Sequence, residues 1–192
     1  MVRKSLGWAA IVVAVLAGGR LRAEEIDIGA AAPDFKAQGV DGKDYSLTST
    51  KGAKVTVLCF TCNGCPVAVA YEDRFVEFAK QYSSKGVKFI ALNCNNATEN
   101  LKAMKQRSEE KGFPFPYVFD ASGDAARAYG ARVTPHLFLI DEHGKVAYRG
   151  AFDDNMKDAK KHFVADAVDA LLAGKTPETQ TTKAFGCGIK LK

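Results

Sequence analysis

From residue 26 onward the chain moves between short apolar runs and longer stretches with a single apolar face. Residues 55–60, VTVLCF, are nearly all apolar and rich in β-branched side chains, which predicts a strand buried on both faces. Residues 87–92, VKFIAL, repeat that signature. Between them Phe75, Phe78, Ala79 and Tyr82 stand at i, i+3, i+4 and i+7, the spacing of one helical stripe. Pro66 suits the first turn of that helix, where its missing N–H is no loss, and Gly86 suits its end. A more polar helix is predicted over 98–112 with Thr98 as its cap. The two prolines within 113–120 keep that stretch extended. A short helix over 123–130 precedes a strand over 133–141, entered through Thr134-Pro135. The turn EHGK folds that strand back onto 146–150. Phe163, Ala167, Val168, Leu171 and Leu172 form the apolar stripe of a closing helix over 156–174. Near the start, Asp41-Gly42 signals a hairpin turn. The tail, about 175–192, has no clear period, and the chain has no internal repeat.

The order strand–helix–strand calls for parallel pairing, and the later tight hairpin for antiparallel pairing. The expected fold is therefore α/β, a mixed central β-sheet flanked by helices on both faces. Such a core fits within one domain of the size available over residues 24–192.

Residues 1–23 follow a different pattern. A basic start, MVRK, leads into an apolar run of 14 residues, LGWAAIVVAVLAGG, and then to Ala23 before Glu24. That is the layout of a secretory signal peptide, the run being short of the roughly 20 residues a membrane span needs. Periplasmic or secreted location is the expectation, an uncleaved N-terminal membrane anchor the alternative. The segment carries Arg3, Lys4, Arg20 and Arg22 and no acid, so the formal charge of +5 becomes +1 without it. A near-neutral chain with no basic cluster gives no reason to expect nucleic acid as a partner.

Five cysteines in an exported chain must be read against an oxidising compartment. Cys62 and Cys65 stand two residues apart, followed at once by Pro66, in CFTCNGCPVAV. Thiol–disulfide exchange needs an accessible thiolate and a second thiol able to close a ring, and a Cys-x-x-Cys at a helix start supplies both. On that reading the helix N-terminus lowers the pKa of Cys62, and Cys65 lies deeper against the helix. Cys59 falls inside a strand as a core thiol, Cys94 at a strand end, and Cys187 between two glycines in the tail.

Cys-x-x-Cys after the first buried strand, with Thr-Pro before the third, resembles the thioredoxin superfamily. IGAAAPDF, DGKDYSL and YGARVTPHLFLIDEHGKVAYRG narrow the resemblance to its redoxin branch, with alkyl hydroperoxide reductases and thiol-specific antioxidants. FTCNGCPVAVAYEDRF with GCGIK is most similar to an exported peroxiredoxin-like bacterial group. The resemblance implies a thioredoxin-like fold and thiol–disulfide oxidoreductase activity without a cofactor. It implies Cys62 as nucleophile, Cys65 as resolving thiol, and a cis proline at Pro135 shaping the substrate groove. Partners would be protein or small-molecule thiols and disulfides, and a membrane or exported redox partner.

The departures are specific. Thioredoxins carry a Trp before the first cysteine and a buried carboxylate six residues before it; here Thr61 and Thr56 stand there. Glu72, Asp73 and His136 are then candidate proton carriers, with Thr134 beside the site. Peroxide reduction is the second reading, but the Pro-x-x-x-Thr/Ser-x-x-Cys pattern is missing before both cysteines, although Arg127, Arg132 and Arg149 could approach. A Cu(I) carrier using Cys62, Cys65 and His136 is the third, since thiolates and an imidazole suit that ion. His143 and His162 read as surface residues.

Overall fold

The computed structural model describes residues 24–192; the signal-peptide assignment falls on residues 1–23 and lies outside the described residues. The nine strands among the described residues are β1 (Ala37–Gly39), β2 (Asp44–Tyr45), β3 (Val55–Phe60), β4 (Val87–Asn93), β5 (Tyr117–Phe119), β6 (Val133–Thr134), β7 (His136–Asp141), β8 (Val146–Gly150) and β9 (Cys187–Gly188). The helices are α1 (Pro66–Ser83), α2 (Leu101–Lys111), α3 (Asp124–Tyr129) and α4 (Phe163–Leu172). Seven strands form one sheet in the order β2-β1-β5-β4-β3-β7-β8, and β6 pairs with β9 alone. β3, β4 and β5 run parallel, while β7 lies antiparallel to both β3 and β8. The sheet is mixed, as the sequence order requires.

The alternation of side chains along β3 divides the core. Val55, Val57 and Cys59 enter one apolar cluster with Tyr71, Phe75 and Phe78 of α1 and Val164, Ala167 and Val168 of α4. Leu58 and Phe60 enter the other, with Ala125, Ala126 and Tyr129 of α3. Helices thus cover both faces, because a strand's successive side chains point to opposite sides. Both central strands are buried almost throughout, which explains their apolar runs.

Three expected boundaries move. The strand predicted over 133–141 is split at Pro135, which has no N–H for a ladder; the Thr134–Pro135 peptide is cis. The second helix begins at Leu101 under Asn100, whose side chain accepts from the Ala103 N–H at 3.1 Å. Thr98 instead sits in a turn, its N–H bonded to the Asn95 carbonyl. The last helix begins at Phe163 rather than near 156. Asp154 accepts from the N–H groups of Lys160 and Lys161, and Asn155 from that of Lys157. Those local side-chain bonds compete with a helical ladder and win. The tail that showed no periodicity supplies β9.

Candidate functional site

Strand β3 ends at Phe60 beneath its neighbours, and α1 begins at Pro66, so residues 61–65 form a short loop at the carboxyl edge of the parallel strands. Ligand and reaction sites of open α/β sheets gather at that edge. Thr61 donates its N–H to the Leu92 carbonyl, tying the loop to β4. All five cysteines fall among the described residues, and none is bridged. Cys62 and Cys65 are both buried, and with Ala68 they form a small cluster against which Cys187 packs.

Thr134, immediately before Pro135, touches both sulfurs. Its hydroxyl lies 3.2 Å from Cys62 Sγ, and its carbonyl accepts from the Cys65 thiol at 3.1 Å. Cys65 is the N-cap of α1, its sulfur 3.5 Å from the Ala68 N–H. The expectation that the helix N-terminus serves Cys62 is therefore corrected: the helix starts one residue after Cys65, so its free N–H groups face Cys65. Burial pushes the Cys65 thiol up, but hydrogen bonds from the Cys187 thiol and the Ala68 N–H outweigh it and hold it below the usual value. Burial pushes Cys62 up to about 11, with the charges of Glu99 and Cys65 adding to the rise and the Thr134 hydroxyl opposing it.

Glu99 was not singled out from the sequence, yet it organises the loop. Its two carboxylate oxygens accept from the N–H groups of Gly64 at 2.9 Å and Asn63 at 3.0 Å. The same carboxylate accepts from the Asn93 side-chain amide at 2.7 Å. The Tyr117 hydroxyl donates to the Asn63 side-chain oxygen at 2.8 Å. Glu99 and Tyr117 thus fix the two residues between the cysteines through three hydrogen bonds. A cleft of about 300 Å³ opens over this loop, walled by Cys62, Cys65, Glu99 and Cys187.

The other candidates lie elsewhere. Glu72 is buried between α1 and α2 and receives the Arg107 guanidinium at 2.9 and 2.6 Å; Asp73 pairs with Lys111 at the surface. His136 follows Pro135 but alternates with Phe138 and Ile140 toward the α3 face, with its ring 4.5 Å from that of Phe138. Cys65 caps α1 on the opposite face, so the imidazole and the two thiols are not brought together. Among the described residues no group of three His, Cys, Asp or Glu side chains is disposed to hold a metal. Neither ring nitrogen of His136 has a hydrogen-bond partner among the described residues, and burial, reinforced by Arg149 and Arg132, holds its pKa down at about 4. Arg127 is engaged by Ser122 and Asp124, and Arg149 by the carbonyls of Glu25 and Ile26. His143 is exposed on the β7–β8 turn, and His162 precedes α4. Cys59 and Cys94 are buried with their thiols pushed up, Cys59 chiefly by burial and Cys94 by burial and Asp120.

A dithiol under a Thr–cis-Pro segment, on a mixed sheet with helices on both faces, defines the thioredoxin-fold class. The Redoxin family matches residues 27–167, and the chain belongs to that family. It is 29% identical over 140 residues to thiol-disulfide oxidoreductase ResA of Geobacillus thermodenitrificans, covering 72% of this chain and 77% of that one. The same protein of Bacillus thuringiensis subsp. konkukian is 33% identical over 125 residues, covering 64% and 69%. A solved hypothetical protein from Sinorhizobium meliloti 1021 superposes with a TM-score of 0.83 at 34% identity, over 88% of this chain and 97% of that chain. The chain is an oxidoreductase of the thiol–disulfide class.

Proposed function

We propose that Cys62 and Cys65 are the exchanging pair, that Cys62 carries the mixed disulfide with the partner, and that Cys65 is the resolving thiol. The observation that carries this reading is the contact of one residue, Thr134, with both sulfurs beside Pro135. In the oxidised pair, a partner thiolate attacks Cys62 Sγ. The Cys62–Cys65 bond breaks, and its electron pair leaves on Cys65, where the Ala68 N–H and the Cys187 thiol stabilise it. A leaving thiol of lower pKa departs faster, so the asymmetry of the two sulfurs directs attack to Cys62. A second partner thiolate then attacks the partner sulfur of the mixed disulfide. The partner leaves as a disulfide, and Cys62 and Cys65 each retain one proton from the two thiols consumed. The reverse sequence reduces a partner disulfide. Protein or small-molecule thiols are the substrates, and Asn63 and Gly64, held by Glu99, present Cys62 to them.

The test is trapping. Cys65→Ser, mixed with scrambled ribonuclease, should accumulate mixed disulfides on Cys62, because the resolving thiol is gone. Cys62→Ser should lose turnover and retain no partner on Cys65. Adducts found on Cys65 would overturn the assignment.

Export belongs to the same reading. The basic start, the apolar run and Ala23 support removal of residues 1–23 and action in the periplasm or outside the cell, where a membrane or exported redox partner would meet it. Amino-terminal sequencing of protein from its native host should begin at or near Glu24; recovery of Met1 in the membrane fraction would replace secretion with anchoring.

A further inference from the structure

The C-terminal tail returns across the molecule to the site. Thr182 pairs with Arg149 through the backbone, and its hydroxyl meets the Tyr148 hydroxyl at 2.6 Å. Beyond it, Cys187 stands opposite Thr134 and Gly188 opposite Val133 in the antiparallel β6–β9 pair. Three further bonds hold the end of the tail: Ile189 N–H to the Arg132 carbonyl at 2.9 Å, Lys190 N–H to the Asn95 side chain at 2.9 Å, and Lys192 N–H to the Asn96 side chain at 2.7 Å. Gly186 passes so near β6 that a Cβ there would stand 2.0 Å from the Thr134 carbonyl oxygen, at a φ of +149° that other residues rarely adopt. The strand register thus sets Cys187 opposite Thr134, whose carbonyl accepts from the Cys65 thiol, and its side chain packs against the cluster of Cys62, Cys65 and Ala68. Cys187 is only half-buried, while Cys62 and Cys65 are buried.

We propose that Cys187 is a third redox thiol of this site, exchanging with Cys65 so that the disulfide moves between Cys62–Cys65 and Cys65–Cys187. This rests on the reading of Cys62 and Cys65 as the exchanging pair and extends it. In the step, Cys187 loses its proton and its thiolate attacks Cys65 Sγ. The Cys65–Cys187 bond forms as the Cys62–Cys65 bond breaks, and the electron pair leaves on Cys62, which takes up the proton. The two oxidising equivalents stay in the protein, so no outside oxidant is consumed. The migration frees Cys62 as a thiol while the site remains oxidised, and it places a disulfide sulfur on the half-buried tail, within reach of a second partner.

Cys62→Ser treated with glutathione disulfide isolates the step. Glutathione disulfide should first be attacked by Cys187, and Cys65 should then displace glutathione from it. Peptide mapping without reduction should find Cys65 joined to Cys187. Retained glutathione should be at least about tenfold lower than in Cys62→Ser/Cys65→Ser, because the second thiol is held within the same molecule. Glutathione left on Cys187 with Cys65 free, in Cys62→Ser, overturns the proposal. Cys187→Ser under the same treatment should still form Cys62–Cys65. If that bond forms while Cys65–Cys187 does not, only the third thiol falls; if neither forms, the exchanging pair falls too.

Discussion

The backbone N–H of Asn63 donates to a Glu99 carboxylate oxygen at 3.0 Å, and the other oxygen of the same group receives the N–H of Gly64. The carboxylate comes from just ahead of α2, while the loop it holds lies between the two cysteines. One acid thus fixes the loop and also places a negative charge near Cys62, which helps keep that thiol protonated.

Glu99→Gln separates those two effects. A glutamine has one acceptor oxygen for the three donors Asn63, Gly64 and Asn93, so a loss of roughly 1–3 kcal/mol of stability is expected. With the charge removed, the Cys62 thiol should ionise at lower pH. Urea unfolding reads the first effect, and the pH dependence of Cys62 alkylation in reduced protein reads the second. If neither changes, Glu99 does not organise the site.

Much of this arrangement is written in local pattern. The alternation of Val55, Val57 and Cys59 against Leu58 and Phe60 puts apolar side chains on both faces of one short run, and both faces are buried. Cys62, Cys65 and Thr134-Pro135 are legible because their meaning lies in short spacings. Glu99 is not, since the loop residues it holds lie 35 and 36 positions away and only the fold brings them together. β9 is only two residues long, with no room for a period, and its pairing with β6 depends on the whole path of the tail. The misplaced helix dipole has a smaller cause: whether Cys62 or Cys65 faces the free N–H groups depends on where α1 starts, a boundary that sequence reads least well.

Glu72 should be structural. It is 4% exposed and carries the forked bond from Arg107, with Lys111 at 3.8 Å. Glu72→Gln should cost about 2 kcal/mol or more by leaving a partly buried guanidinium without its anion. The rate of disulfide exchange per folded molecule should stay unchanged. A fall in exchange rate with stability intact would make Glu72 a proton carrier again.

His136 should weaken the fold in acid. Its folded pKa of about 4 lies below the ordinary 6.5, so the unfolded chain binds the proton more readily. Its contribution is therefore complete above about pH 6.5 and is lost as pH falls toward 4, for about 3 kcal/mol in all. His136→Leu removes the titration and two buried nitrogens without partners. Urea unfolding at neutral and acid pH should show a flatter acid loss in the variant. Parallel losses in both proteins would refute it.

The two thiols of the pair should ionise in an order set by where α1 begins. Cys65 receives the Ala68 N–H and the Cys187 thiol, and these bonds outweigh its burial; Cys62 is pushed up to about 11 by burial, Glu99 and Cys65. Thiolate, the form that alkylates, grows as pH rises through the pKa. Iodoacetamide labelling of reduced protein, mapped by peptide mass spectrometry, should therefore reach Cys65 at lower pH than Cys62. Cys187→Ala should move the Cys65 curve upward by removing a donor. Cys65→Ser should move the Cys62 curve downward, because the neighbouring thiolate no longer opposes a second negative charge. If Cys62 labels at lower pH than Cys65, the capped sulfur is not the stabilised one. Cys65 would then not be the better leaving group, and the direction of attack argued from it would reverse.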